Sequence, residues 1–428
     1  MQVNVRELWA LVVYLVKWFL IAGLLGTIVG SACAFFLWAL ELATTTRFAN
    51  PWLLWLLPVA GAGVGWLYWT CGESVAAGNN LIVDEIHEPG GGVPLRMAPL
   101  VLAGTILTHL FGGSAGREGT AVQMGGSLAS GLARLVPGLS RDDIRTLLMA
   151  GISCGFAAVF GTPVAGMVFA LEVLAIGRIN YSAIAPCLIA AIVGDQVCIG
   201  WGIEHTHYQV TSSFAAGAVQ HLAAVDLRLM SLTIVAGILF GLTAVLFTKA
   251  AHGMQVLFRR MIAWPVARPV VGGLLVIGLV QLFDLSDYLG LGVSSSDPNA
   301  VTIVSSFRNG GAETWSWWWK IVLTAVTLGS GFKGGEVTPL FFVGAALGNT
   351  FAVQMGAPVD LFAALGFVSV FAGATNTPLA CMIMSVELFG GEYLIYFAVA
   401  CLVAYLFSGH SGIYPAQRTG VAKPGAAV

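Results

Sequence analysis

Long stretches of this chain carry no charge at all. Trp18 to Leu40, Phe48 to Gly72, Thr146 to Leu171, Leu229 to Thr248 and Val337 to Val359 contain no acid, lysine or arginine. Each is at or above the roughly 20 residues that a helix needs to cross the hydrocarbon of a bilayer. Over its 428 residues the chain is 57% hydrophobic and only 9% charged, whereas soluble domains carry about 25% charged residues. Charge is costly in hydrocarbon, so this composition predicts an all-α integral membrane protein. No run of apolar and polar alternation suggests a transmembrane barrel.

A net charge of −2 gives no basic field for nucleic acid. The seven cysteines form no Cys-x-x-Cys pair and lie mostly in apolar runs, so they read as packing residues. No metal and no cofactor is expected. Asp84, Glu85 and His87 resemble a ligand cluster, but Glu85 and His87 are two apart and do not share a helical face. The first apolar stretch lacks a clean cleavage site and reads as a retained helix. Trp315 to Lys320 read as an interfacial aromatic anchor.

The chain also repeats itself. Thr162-Pro163 leads to Glu172, and Thr377-Pro378 leads to Glu387, with nine positions from proline to acid in both. Upstream, Gly113-Ser114-Ala115-Gly116-Arg117-Glu118-Gly119-Thr120 parallels Gly329-Ser330-Gly331-Phe332-Lys333-Gly334-Gly335-Glu336-Val337-Thr338-Pro339. Thr120 precedes Thr162 by 42 residues, and Thr338 precedes Thr377 by 39. The chain is therefore expected to be one membrane domain, 1–428, with a first half of about 1–225, a second of about 226–418 and a short tail, 419–428. Such repeats are common in secondary transporters, whose sites form where broken helices of the two halves meet. Sequence alone does not fix whether the second half is inverted.

Two breaks stand out. From Met97 to Ala133 the only charges, His109 aside, are Arg117 and Glu118; from Ile321 to Val359 they are Lys333 and Glu336. Irregular backbone at membrane depth survives only where it is buried or lines a cavity. A helix that starts at such a break offers free N–H groups and the positive end of its dipole, which favours anions. Gly78-Asn79-Asn80 is a third candidate break, whose amides either donate to an anion or serve a plain turn. A carboxylate such as Glu118 resembles an anion, can occupy its place, and becomes neutral on taking a proton. It could thus couple anion movement to proton movement; its plainer role is to staple the break through Arg117. Glu172 and Glu387 end apolar helices, so helix-end or dimer-interface roles are expected of them. His109 is expected to be a satisfied core histidine. An intramembrane hydrolase would need a nucleophile with a base, or a metal triad, and no such set is present.

The ordered set Gly78-Asn79-Asn80, Gly116-Arg117-Glu118-Gly119-Thr120, Gly334-Gly335-Glu336-Val337-Thr338-Pro339 and Tyr414 resembles the CLC anion channels and transporters over roughly residues 18 to 417. The departures narrow the resemblance. Asn79 stands where chloride-type members have serine, Thr120 where proline is usual, and Glu336-Val337 where an apolar residue and phenylalanine occur. The internal proton-transfer glutamate of chloride/proton exchangers falls on Val173. Together these resemble the fluoride/proton antiporter branch, with a chloride-type channel or chloride/proton exchanger as the alternative.

The resemblance implies a CLC fold of two inverted-topology repeats, a homodimer with one pore per subunit, in a cell inner membrane or plasma membrane. It further implies a transporter rather than an enzyme, with fluoride and protons as its partners. By resemblance Glu118 is the gating and proton-carrying glutamate. Glu336 and Thr338 belong to the fluoride pathway, and Asn79 and Tyr414 line the central and inner anion positions. Gly116, Gly119, Thr120 and Val337 complete the anion-binding set. Fluoride is small and strongly hydrated, so removing its water requires strong donors such as the Asn79 amide and the Thr338 and Tyr414 hydroxyls.

Overall fold

The computed structural model describes residues 5–211 and 226–424. The expected end of the first half, near residue 225, lies outside the described residues, as do 425–428 of the tail. Among the described residues there are fifteen α-helices. In the first half these are α1 (Val5–Ala49), α2 (Leu57–Cys71), α3 (Asn79–His87), α4 (Met97–Leu110), α5 (Glu118–Leu135), α6 (Arg141–Phe160), α7 (Pro163–Glu172) and α8 (Ile184–Gly200). The second half supplies α9 (Leu227–Met261), α10 (Ala267–Phe283), α11 (Ser316–Ser330), α12 (Val337–Met355), α13 (Val359–Thr375), α14 (Pro378–Phe389) and α15 (Leu394–Phe407). Six helical segments among the described residues are long and apolar enough to cross a membrane.

Two of the five uncharged runs, Trp18–Leu40 and Leu229–Thr248, lie wholly within such spans; Phe48–Gly72 and Val337–Val359 overrun theirs by a few residues, and the fifth is divided. Thr146 to Leu171 is two helices rather than one. Gly161 ends α6 in the left-handed conformation (φ 71°), and Pro163 opens α7 behind Thr162. Glycine meets that backbone at no steric cost, and proline at the first helical position gives up no hydrogen bond. The Trp315–Lys320 anchor is also partly corrected. Trp315 and Trp318 are exposed at the start of α11, but Lys320 is fully buried. Its ammonium donates to the carbonyls of Tyr288 and Gly290 and lies over the Phe342 ring.

The two halves use the same joints. Helix α5 packs on α6, and α12 on α13, through glycines that bring backbones together. A Cβ on Gly125 would lie 2.1 Å from the Gly151 carbonyl oxygen, and one on Gly344 would lie 2.1 Å from that of Gly366. Small residues matter here because helix association in lipid depends on close packing rather than on apolar burial.

A second reciprocal joint ties α7 to α14. The Glu172 carboxylate accepts from the Leu379 and Ala380 N–H groups at 3.2 and 2.9 Å. The Glu387 carboxylate accepts from Val164 and Ala165 at 3.0 and 2.8 Å. Each acid therefore caps the first turn of the other helix, satisfying two orphan donors and complementing the dipole. The helix-end role expected for both residues is the one they have.

Candidate functional site

The two glycine-rich breaks meet. Gly116 donates its N–H to the Gly335 carbonyl and Gly335 donates to that of Gly116, both at 2.6 Å, forming a one-pair antiparallel bridge. Only glycine permits the approach. A Cβ on Gly116 would fall 2.7 Å from the Thr338 hydroxyl oxygen, and one on Gly335 would fall 2.8 Å from the Gly119 nitrogen. The bridge sets the N-termini of α5 and α12 side by side. Gly78 (φ 59°) turns the chain into α3, and the Asn79 amide nitrogen lies 3.4 Å from where a Cβ on Gly119 would stand. Three helix N-termini thus converge.

Glu118, 1% exposed, sits at this convergence. Its Oε2 accepts from the Thr338 N–H at 3.0 Å, from the Arg117 N–H at 3.3 Å and from the Thr338 hydroxyl. Arg117 Nε lies 3.5 Å from Oε1. A carboxylate held by donors at the start of a helix in the other half occupies the position that suits an anion.

Beyond the bridge opens a vestibule of about 180 Å³, lined by Asn79, Lys333, Glu336 and Tyr414 among others. Glu336 is the N-cap residue of α12. Its carboxylate has no hydrogen bond or ion pair among the described residues. The Asn79 Oδ1 is buried without a hydrogen-bond partner among the described residues. Tyr414 is 6% exposed and meets Phe169 edge-on. Its position is fixed by the chain around it. Ile413 donates to the Ala374 carbonyl, Ala416 to the Asn80 side chain, and the Gln417 amide to the carbonyls of Val173 and Thr375. Gly334, Gly335 and Lys333 complete the wall near the bridge, with the Lys333 ammonium 3.9 Å from the Tyr68 ring centre.

The structure therefore gathers Asn79, Gly116, Glu118, Gly119, Glu336, Val337, Thr338 and Tyr414 around the breaks. Thr120 is set apart: its hydroxyl is 2.8 Å from that of Thr105 on α4, and both are buried. It joins α5 to α4 and lines neither the vestibule nor the crevice beside Glu118. Asn80 is likewise occupied with Ala416. The His109 ring nitrogens lie 2.8 and 3.0 Å from the carbonyl oxygens of Thr105 and Ala115, so the residue pins the chain entering the first break. In the Asp84–His87 segment, Glu85 accepts from the Gly90 N–H and His87 Nε2 faces the Leu174 carbonyl.

Sequence reasoning passed over His205, Thr206 and Tyr208. Arg117, Glu118, His205, Thr206, Tyr208 and Thr338 line a narrow crevice beside Glu118. His205 and Tyr208 follow α8 in a segment without regular structure, so no periodicity or break marks them.

The sequence profile described as "Voltage gated chloride channel" matches residues 60–409. A protein named "Chloride/fluoride channel protein" from Pseudomonas syringae pv. tomato is 51% identical over 416 residues, covering 96% of this chain and 88% of that protein. The crystal structure of a CLC-type fluoride/proton antiporter superposes with a TM-score of 0.86 at 35% identity, covering 98% of this chain and all of that one. A slow cyanobacterial Cl−/H+ antiporter shares the fold, with a TM-score of 0.76 at 21% identity over 93% of this chain and 96% of its own.

Proposed function

This chain belongs to the voltage-gated chloride channel family, and on that premise we propose that it is a fluoride/proton antiporter that exports cytoplasmic fluoride in exchange for protons. The observation that carries the reading is the pairing of Glu118 with Thr338. A titratable carboxylate occupies donors that a fluoride ion could use, and Glu336, a second carboxyl, begins the same helix. On this reading a proton neutralises Glu118, which releases the Thr338 N–H and hydroxyl to a dehydrated fluoride. Glu336 donates a hydrogen bond to fluoride only when protonated, so anion and proton meet on one group. Chloride, larger and less basic, gains less from the same donors.

The 51% identical relative's name, which includes fluoride, and the CLC-type fluoride/proton antiporter that superposes on this chain both support the reading. We further propose one membrane domain per subunit, divided near residue 226, and a homodimer in the cell inner or plasma membrane. Purified protein in liposomes, loaded with fluoride or with chloride, tests the reading. Fluoride efflux that drives proton uptake is expected; equal passage of chloride would return the chain to the chloride-type reading.

A further inference from the structure

We propose that His205 and Asp195 form the proton-delivery pair that serves Glu118, an inference that rests on the fluoride/proton reading above. His205 Nε2 lies 3.5 Å from Asp195 Oδ1, with side-chain exposures of 15% and 8%. Both atoms are buried, and neither has a hydrogen-bond partner among the described residues. Asp195 is carried by α8, and its other oxygen accepts from Gln196. The imidazole is seated on Gly161, where any Cβ would come within 2.6 Å of His205 Cδ2. The left-handed glycine that stops α6 therefore also makes room for this ring.

The same ring lines the crevice with Arg117, Glu118, Thr206, Tyr208 and Thr338. That crevice offers about 10 Å³, close to the least space that holds one water. A single water can carry a proton where a hydrated anion cannot pass. The charged and titratable groups around the pair are Arg117 and Glu118 at the start of α5, the thiols of Cys154 on α6 and Cys198 on α8, Tyr208 in the same segment as His205, and Glu387 on α14, which lies near enough to Asp195 to repel it. Glu204 and His207, adjacent in sequence, are exposed.

The step balances. A proton from solution adds to the neutral imidazole, and the Asp195 carboxylate stabilises the imidazolium and orients the ring. The imidazolium then passes a proton through the crevice water to the Glu118 carboxylate. This restores the neutral imidazole and leaves a carboxylic acid that can release Thr338. Histidine suits the task because its charge changes near neutral pH. Asp195 and His205 are thus positioning and relay residues, and Glu118 remains the group that moves.

The test uses the full chain in liposomes, with fluoride-driven proton uptake followed against external pH. Unmodified protein is measured first; absence of coupling there would sink the parent reading, and this inference with it. If coupling is present, His205→Gln is expected to slow uptake about 10-fold or more near neutral external pH. Acid external pH and added imidazole should restore the rate, while the fluoride-to-proton ratio stays unchanged. Asp195→Asn serves as the second variant and should slow uptake near neutral external pH, with acid external pH restoring the rate, because the imidazolium loses its neighbouring carboxylate. An unaltered rate and profile in both variants would overturn the proposal. So would a loss that neither acid nor imidazole restores, because that marks a structural role.

Discussion

The Glu118 carboxylate takes two of its hydrogen bonds from Thr338, a residue 220 positions away in the other half of the chain. This contact exists because Gly116 and Gly335 bridge the two breaks backbone to backbone. The proposed gate is therefore shared between the halves.

Glu118→Gln keeps the shape and removes the titration. An amide oxygen can still accept from Thr338 but cannot cycle a proton. Proton uptake driven by fluoride should fall to the background of empty liposomes, while the protein remains folded and monodisperse. Persisting fluoride-driven proton movement would remove Glu118 from the gating role.

Glu336 has no partner that its removal would strand, so Glu336→Ala should leave folding intact. Fluoride turnover should fall by about 10-fold or more, the loss of roughly one charge-assisted hydrogen bond of about 1.5–3 kcal/mol. A thermal unfolding midpoint close to that of the parent, together with slow fluoride efflux, is the expected pair of readings. Unchanged turnover would take Glu336 out of the pathway.

Glu172→Ala leaves the Leu379 and Ala380 N–H groups at the start of α14 without their acceptor. The expected cost is about 1–3 kcal/mol, read as a lower unfolding midpoint in detergent. Glu387→Ala should behave alike through Val164 and Ala165. Transport by the folded fraction of either variant should persist, which separates these acids from Glu118.

Gly344→Ala pushes a methyl into the Gly366 carbonyl and must separate α12 from α13. Overpacking of this kind typically costs about 1–3 kcal/mol and occasionally more, and here it also displaces the helix that carries Thr338. Little folded, active protein is expected. Gly253→Ala, on α9 with nothing within 4 Å of the added atom, is the control and should be neutral or mildly stabilising.

Much of this was legible because charge in lipid is scarce and therefore informative. Glu118, Glu336 and the glycines around them mark the breaks by standing alone in apolar sequence, and the Thr-Pro repeats mark the start of α7 and α14. Other features depended on direction, which composition does not carry. Lys320 turns inward to two carbonyls rather than out to headgroups, and the Thr120 hydroxyl faces Thr105 rather than the crevice or the vestibule. Gly161 looked like one more small residue in an apolar run, yet its positive φ splits the run in two. His205 and Asp195 come together only because the chain after α8 folds back over Gly161, a contact that no spacing rule encodes.

The most direct measurement is paired efflux from liposomes with simultaneous recording of external pH. The account predicts that a fluoride gradient drives protons inward against their own gradient, that a chloride gradient of the same size does not, and that Glu118→Gln abolishes the coupling. Chloride driving protons as well as fluoride does, or fluoride leaving with no proton movement, would contradict it.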